Sequence, residues 1–453
     1  MNIIIVGCGE IGTALAAELV QDANNISVVD LSAKKVNDLT AKLDVLGIVG
    51  NGATFTTLKE AGIDKADLLI AVTGSDELNI LCCMIAKRHR RCKVIARVQN
   101  PVYNAESEYL KNELELAMVI NPDYAAAEEI ARVLRFPAAT QIESFSNGRV
   151  ELLKFRISEN SSLIGSSVKS ITATHKCDIL FCTAERDGEA HIINGNFIFL
   201  ERDVISIIAT PKNASAFFKK TGCELHSIKN AIILGANDIT HYLCNILKKQ
   251  PISVKVIDND ADACESFAKR HDEITVIHGD ETDRALLLEE GIESADAMVT
   301  LTDTDEENIM LSLSAQKTGV KKTITKIDNS EYDEIIEKLE LDSVIHPKLI
   351  TSDIIVRFVR SMKKTVGSNM ETMYTLIKGE VEATEFLVGE RTPVINTPIA
   401  ELAKKLKDDV LISAILRGKS VIIPHGHDVI LPGDSVVVVT KHLGLNNISD
   451  ILR

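Results

Sequence analysis

Residues 2–12 read Asn2-Ile3-Ile4-Ile5-Val6-Gly7-Cys8-Gly9-Glu10-Ile11-Gly12, and the fold class follows from them. A short β-branched run leads directly into the spacing GxGxxG, which opens a predicted helix. Gly7 permits the tight turn, Gly9 lets backbone approach a pyrophosphate, and Gly12 allows close helix–strand packing. The unpaired N–H groups of the helix start face an anion, with the positive end of the helix dipole behind them. The backbone from Gly7 through Cys8, Gly9, Glu10 and Ile11 to Gly12 is therefore the candidate phosphate cradle. Asp30 ends the next predicted strand, 18 residues beyond Gly12. A carboxylate there accepts hydrogen bonds from both hydroxyls of an adenosine ribose and disfavours a 2′-phosphate. NAD or another adenine nucleotide is thus expected over NADP. The alternative is a glycine-rich turn that only packs a structural unit.

Around this motif, strands are expected at 2–6, 25–30, 46–49, 68–72 and 93–98, with helices at 12–21 and 33–43 between them. Strands alternating with helices imply a parallel sheet covered on both faces. A further helix is expected over Asp123–Leu134, after Asn121-Pro122, and Pro137 marks a boundary. Beyond it the rhythm changes. Val150–Ile157, Ile179–Glu185 and Asp203–Ala209 read as strands, with a short helix near Ser167–Ala173 and a turn at Arg186-Asp187-Gly188-Glu189.

The chain then repeats itself. Residues 231–240 read Ala-Ile-Ile-Leu-Gly-Ala-Asn-Asp-Ile-Thr, displaced by 228 from residues 3–12, and the same displacement carries Asp30 onto Asp258. One residue more brings Gly50 onto Gly279, Thr73 onto Thr302, Asn79 onto Asn308 and Tyr103 onto Tyr332. The small second part returns over 371–443. The expected class is α/β: tandem Rossmann-like parallel-sheet domains, each followed by a small α+β domain. The expected boundaries are 1–136, 137–227, 228–366 and 367–453.

The two fingerprints are unequal. Gly235-Ala236-Asn237-Asp238-Ile239-Thr240 keeps only the first glycine. Asn237 tolerates positive φ more readily than most residues, but its side chain is expected to crowd the phosphate position. Thr240 sets a branched Cβ where close packing wants none, and Asp238 adds negative charge. Asp258 still offers the ribose contact, so a weak or empty second site is expected. In the first copy Asn51 and Thr73-Gly74 follow strands at the carboxyl edge of the sheet, where ligands of such sheets bind. They are candidates to frame adenine and ribose, with ordinary turn chemistry as the alternative. Arg97 ends the fifth strand at that edge, placed to grip terminal phosphates or else to form a surface ion pair.

Composition narrows the function. The 453 residues hold 65 acidic against 50 basic side chains, a formal charge of −15. Such a surface repels phosphate backbones, which argues against nucleic-acid binding. No apolar run is long enough to span a bilayer, and the N-terminus lacks the pattern of a signal peptide. Nine cysteines without zinc spacing fit reduced thiols in a cytoplasm. Cys82-Cys83 reads as core. His175, His191, His425 and His427 stand in no acid–base constellation, so no catalytic residue is assigned.

Gly7–Gly12, Asp30, Gly50-Asn51-Gly52-Ala53-Thr54, Glu60–Asp67 and Thr73–Asn79 resemble the domain that regulates potassium conductance. Two such domains, each with its small companion, resemble the TrkA family of Trk potassium-uptake regulatory subunits over nearly the whole chain. The resemblance implies binding of NAD(H), and of ATP or ADP, in the Rossmann clefts by Gly7–Gly12, Asp30, Thr73, Gly74 and Arg97. Where some relatives carry a second arginine, two places after Arg97, this chain has Gln99. It further implies a ring, with this chain as dimer or tetramer, on the cytoplasmic face of a potassium-transporting integral membrane protein. Two other readings stand beside it: an NAD-dependent oxidoreductase acting on a small metabolite, and a soluble sensor with no membrane partner. The helix at Asp123–Leu134 and a counterpart near Ser352–Val366 are expected to bury apolar faces against another protomer or the other copy.

Overall fold

The computed structural model describes residues 1–453 except 89–91, 147, 158–160, 222–227, 249, 330–331, 333–335, 337, 340, 363–369, 378–379 and 446. Its elements begin with β1 (Asn2–Val6), α1 (Glu10–Gln21), β2 (Asn25–Asp30), α2 (Ala33–Lys42), β3 (Leu46–Val49) and α3 (Phe55–Glu60). There follow β4 (Leu68–Ala71), α4 (Asp76–Lys87), β5 (Lys93–Arg97), α5 (Pro101–Ala105), α6 (Ser107–Glu113), β6 (Met118–Ile120) and α7 (Pro122–Arg135). The strands form one six-stranded sheet in the order β3-β2-β1-β4-β5-β6, with every neighbouring pair parallel. The order reverses between β1 and β4, so their carboxyl ends open the crevice where such sheets bind ligands. β1 is the centre because Ile3, Ile4, Ile5 and Val6 are buried on both faces.

The first small domain comprises β7 (Ala139–Phe145), β8 (Val150–Arg156), α8 (Val168–His175), β9 (Ile179–Arg186), β10 (Glu189–Ile192), β11 (Val204–Ala209) and α9 (Pro211–Thr221). The second copy then rebuilds the parallel lobe with β12 (Asn230–Leu234), α10 (Asp238–Leu247), β13 (Ser253–Asp258), α11 (Ala261–Arg270) and β14 (Thr275–His278). It continues through α12 (Arg284–Glu289), β15 (Ala297–Thr300), α13 (Asp305–Thr318), β16 (Lys322–Lys326) and β17 (Ser343–Ile345), in the order β14-β13-β12-β15-β16-β17. The helix after β17, α14, spans Pro347–Met362, not Ser352 onward. Proline at the first helical position has its φ preset and no N–H to satisfy, which is also why α7 starts at Pro122. The expected end at Val366 lies outside the described residues. The second small domain holds β18 (Met370–Ile377), β19 (Val381–Leu387), β20 (Val410–Arg417), β21 (Ser420–Ile422) and β22 (Ser435–Thr440).

Like halves associate. One compact unit joins Met1–Ala131 with Ile228–Val356, and the other joins Arg132–Ser227 with Arg357–Arg453. In the second unit each small domain is a five-stranded sheet, β10-β9-β11-β8-β7 and β18-β19-β22-β20-β21. Phe145, Val150, Leu152 and Ile208 of one sheet share a core with Val381, Ala383, Val437 and Val439 of the other. On the opposite face of the first sheet, Phe217 and Phe218 of α9 pack beside Phe155 and Phe181. No helix among the described residues is long and apolar enough to cross a membrane.

Candidate functional site

The turn after β1 is fixed from both sides. Gly7 has φ +107°, and a Cβ there would lie 2.8 Å from Val72 O, so only glycine fits without strain. Its N–H donates to Val29 O at 2.8 Å. The next N–H, of Cys8, donates to Asp30 Oδ2 at 2.7 Å, and Ser32 N–H donates to Asp30 Oδ1 at 2.8 Å. Two backbone donors therefore aim the Asp30 carboxylate and leave its remaining lone pairs for other hydroxyls. Around Gly9 a Cβ would meet nothing within 4 Å, which is the open space a phosphate needs. No side chain caps α1, so its first N–H groups are not consumed locally. Cys8 is buried, and burial, helped by Asp30, pushes its thiol up to about 11. It is packing, not a nucleophile.

Across the crevice, β4 ends in a loop organised by Asn79, which is fully buried. Asn79 Oδ1 accepts from Thr73 N–H at 2.8 Å and from Thr73 Oγ1 at 2.7 Å. Its Nδ2 donates to Thr73 O at 3.2 Å and Arg97 O at 3.0 Å. The Thr73 hydroxyl, a candidate to meet the ligand, thus spends its proton on the loop. Asn51 behaves alike, its Oδ1 accepting from Ala53 N–H at 2.9 Å in a tight turn. The Arg97 guanidinium is no surface ion pair. Nη1 donates to Thr73 O at 2.7 Å, Nη2 donates to Gln99 Oε1, and Nε is buried with no partner among the described residues. Gln99 in turn donates to Asp123 Oδ2 at 2.7 Å, and burial raises the Asp123 carboxyl above its ordinary value.

The second fingerprint is built differently from the first. Asn237 has φ −102° and makes no use of its tolerance of positive φ; the left-handed residue is Gly235, at +106°. Position 237 is the N-cap, where extended backbone is the rule, and Asn237 Oδ1 accepts from Thr240 N–H at 3.1 Å. Thr240 does not clash. Its Oγ1 donates to Gly235 O at 2.6 Å, so the branched side chain is held at the close-packed position by a hydrogen bond to the turn. Side chains of the chain itself cap this turn, whereas the first turn stays open. Asp258 keeps the geometry of Asp30, accepting from Ala236 N–H at 2.6 Å and Asp260 N–H at 2.8 Å.

The two lobes meet around a cavity of about 860 Å³. Gly7, Gly9, Glu10, Ile11, Asp30, Asn51, Thr73, Gly74 and Arg97 line it. The remaining candidates, Cys8, Gly12 and Asp258, are outside this lining. The second lobe supplies residues that the sequence reading left unassigned, Lys326 and Lys348 among them. Lys326 occupies the position of Arg97 under the displacement of 229 already visible in the repeat, so moving Arg97 through the repeat finds it. Nearby, Asn121 Nδ2 donates to Tyr242 Oη at 3.1 Å, and the rings of Tyr124 and Tyr242 meet edge to face at 5.5 Å. The start of α7 therefore packs on the other copy. Among the described residues no group of three or more His, Cys, Asp or Glu side chains is placed to hold a metal ion.

Comparison with known proteins places the chain among relatives. The model of the TrkA-N domain matches residues 3–122 and 231–347, and that of the TrkA-C domain matches 152–222 and 383–453. The Trk system potassium uptake protein TrkA homolog 1 of Methanosarcina mazei is 30% identical over 449 residues, covering 97% of each chain. The TrkA homolog of Archaeoglobus fulgidus is 28% identical and covers 100% of both chains. Among solved structures, the GsuK RCK domain superposes with a TM-score of 0.62 at 17% identity, covering 97% of this chain and 92% of that one. The GsuK channel bound to NAD gives a TM-score of 0.62, also at 17% identity, covering 97% of this chain and 76% of that one.

Proposed function

This chain belongs to the TrkA family, and on that premise we propose that it is a cytoplasmic nucleotide-sensing regulatory subunit of a potassium uptake system. In this reading it binds NAD(H), with ATP or ADP as alternatives, in the cavity of the first lobe. Binding changes the shape of a homo-oligomeric ring, dimer or tetramer, and so gates potassium flux through a Trk-type integral membrane partner. The observation that carries the reading is the open Gly7–Gly12 turn facing a carboxylate already aimed by two backbone N–H groups. Asp30 would take the ribose hydroxyls, the N–H groups from Gly9 onward the phosphates, and Arg97, with its unpartnered Nε, the anionic end. Support for the ligand class comes from structural neighbours with NAD and with ADP bound, and for the role from the relatives' names.

A ligand shifts an equilibrium only by its differential affinity for the two states. A tenfold preference supplies about 1.4 kcal/mol per site, and four first-lobe sites in a tetramer would supply roughly four times that. One good site per chain is then enough, and the capped second turn serves as scaffold.

Titration of NADH by its own fluorescence tests this, in a chain that contains no tryptophan. Asp30→Ala should weaken binding by about 1.5–3 kcal/mol, and Asp258→Ala much less. Equal losses, or robust turnover of NAD with a panel of hydroxy and amino acids, would overturn the reading.

A further inference from the structure

The first residue of α1 has the wrong sign for a phosphate site. Glu10 follows Gly9 directly and lines the cavity, so its carboxylate opposes any anion that the turn attracts. Its partner comes from the other lobe. Lys348, in the first turn of α14, places Nζ 2.7 Å from Glu10 Oε2. The same Nζ lies 3.9 Å from Asp328 Oδ1 and donates to Asp328 O at 3.4 Å. Asp328 Oδ2 is 3.1 Å from Lys326 Nζ. A chain of alternating charges, Glu10–Lys348–Asp328–Lys326, thus runs from the phosphate turn of one lobe into the other.

In this series of charges, the Glu10–Lys348 pair is the exposed link. The Lys348 side chain is 36% exposed and that of Glu10 58%, and such a half-exposed pair is cheap to break. Lys326, by contrast, is buried and held. A pyrophosphate seated on the N–H groups after Gly9 would carry more charge than one carboxylate and lie on the same side of the cavity. It therefore competes with Glu10 for the ammonium.

We infer that Lys348 is a cross-lobe positioning residue that exchanges Glu10 for the pyrophosphate of the bound nucleotide. This rests on the nucleotide reading above. It adds that the second lobe, with its own turn capped, contributes to the first site through a cation instead. Filling the cavity would then replace an ion pair between the lobes by a bridge through the ligand, giving the nucleotide a direct hold on their arrangement.

The test uses the full chain, with ADP and adenosine each measured by displacement of NADH. Lys348→Met should lower ADP affinity about tenfold while leaving adenosine within twofold, and Lys348→Arg should restore most of the loss. Glu10→Gln, which frees the ammonium and removes the opposing charge, should raise ADP affinity severalfold with adenosine unchanged. Equal losses for ADP and adenosine in Lys348→Met would make Lys348 merely structural and overturn the inference. No change for either ligand would make it a plain surface ion pair and overturn the inference equally. In both cases wild-type binding would leave the nucleotide reading intact. A wild-type chain that binds neither NADH nor ADP would remove both.

Discussion

Replacing Gly12 by alanine adds one methyl group at the tightest point of the first lobe. The new Cβ would lie 1.8 Å from Gly7 O and 3.0 Å from Gly7 C. Ordinary contact for such a pair is roughly 3.5 Å, so about 1.7 Å of separation must come from somewhere. The turn cannot yield it easily, because Gly7 is held at positive φ and tied to Val29 O at 2.8 Å. The helix must retreat instead. Overpacking of this kind costs about 1–3 kcal/mol, and the upper half of that range is expected here because the obstacle is backbone. Retreat also carries the N–H groups of the first turn away from the cavity, past the ~3.2 Å limit of a good hydrogen bond. NADH affinity should therefore fall at least tenfold. Urea unfolding followed by far-ultraviolet circular dichroism reads the first effect, and NADH fluorescence the second. Thr240→Gly is the control. It loses the bond to Gly235 O and puts glycine in α10, costing about 1–2 kcal/mol, but should leave NADH binding unchanged. The second copy shows that this turn can be built around a side chain. If Gly12→Ala unfolds and binds as wild type, the first turn relaxes in the same way and the packing argument is refuted.

Asn79 and Asn308 hold equivalent loops, Asn308 accepting from Thr302 N–H at 2.9 Å and donating to Lys326 O at 3.2 Å. Either one changed to alanine should cost about 2–4 kcal/mol in urea unfolding, since buried loop donors and acceptors lose their partner; a loss at only one position would refute the equivalence. Acid should destabilise the second lobe through His271. This residue is fully buried, its Nε2 lies 2.8 Å from His241 Nδ1, and burial, then His241, lowers it to about 4 from 6.5. Because the folded value lies below the unfolded one, the unfolded chain takes up the proton first. Stability present above about pH 6.5 should fall progressively toward pH 4. His271→Leu should flatten that fall between pH 7 and 4, and parallel curves for variant and wild type would contradict it.

The first lobe was legible because its signals are local and agree. β-branched runs, the spacing Gly7-x-Gly9-x-x-Gly12 and the aspartate at the next strand end each point to the same sheet edge. β6 escaped because Met118–Ile120 is three residues long, too short for a period to show. Helix α9 escaped because its large apolar side chains are concentrated in Phe217 and Phe218 rather than spread at helical spacing. The pairing of like halves showed only as apolar helix faces with no assigned partner, since it joins residues such as Phe145 and Val437 that lie far apart in the chain. Within the site, positions were readable and roles were not. Thr73, Asn51 and Arg97 stand at the expected edge, yet Asn79, Ala53 and Gln99 occupy groups that the sequence assigned to a ligand. Asn237 was ambiguous for a related reason. Asparagine favours both positive φ and N-caps, and only the observed backbone decides between them.

Whether a nucleotide moves this subunit is decided by small-angle scattering of the full chain with NADH, NAD, ADP and ATP in turn, with saturation confirmed by separate titration. At least two distinguishable profiles are expected among the four ligands, lost in Asp30→Ala at the same ligand concentrations. Identical profiles from four saturated samples would contradict a nucleotide-driven change of shape in this subunit.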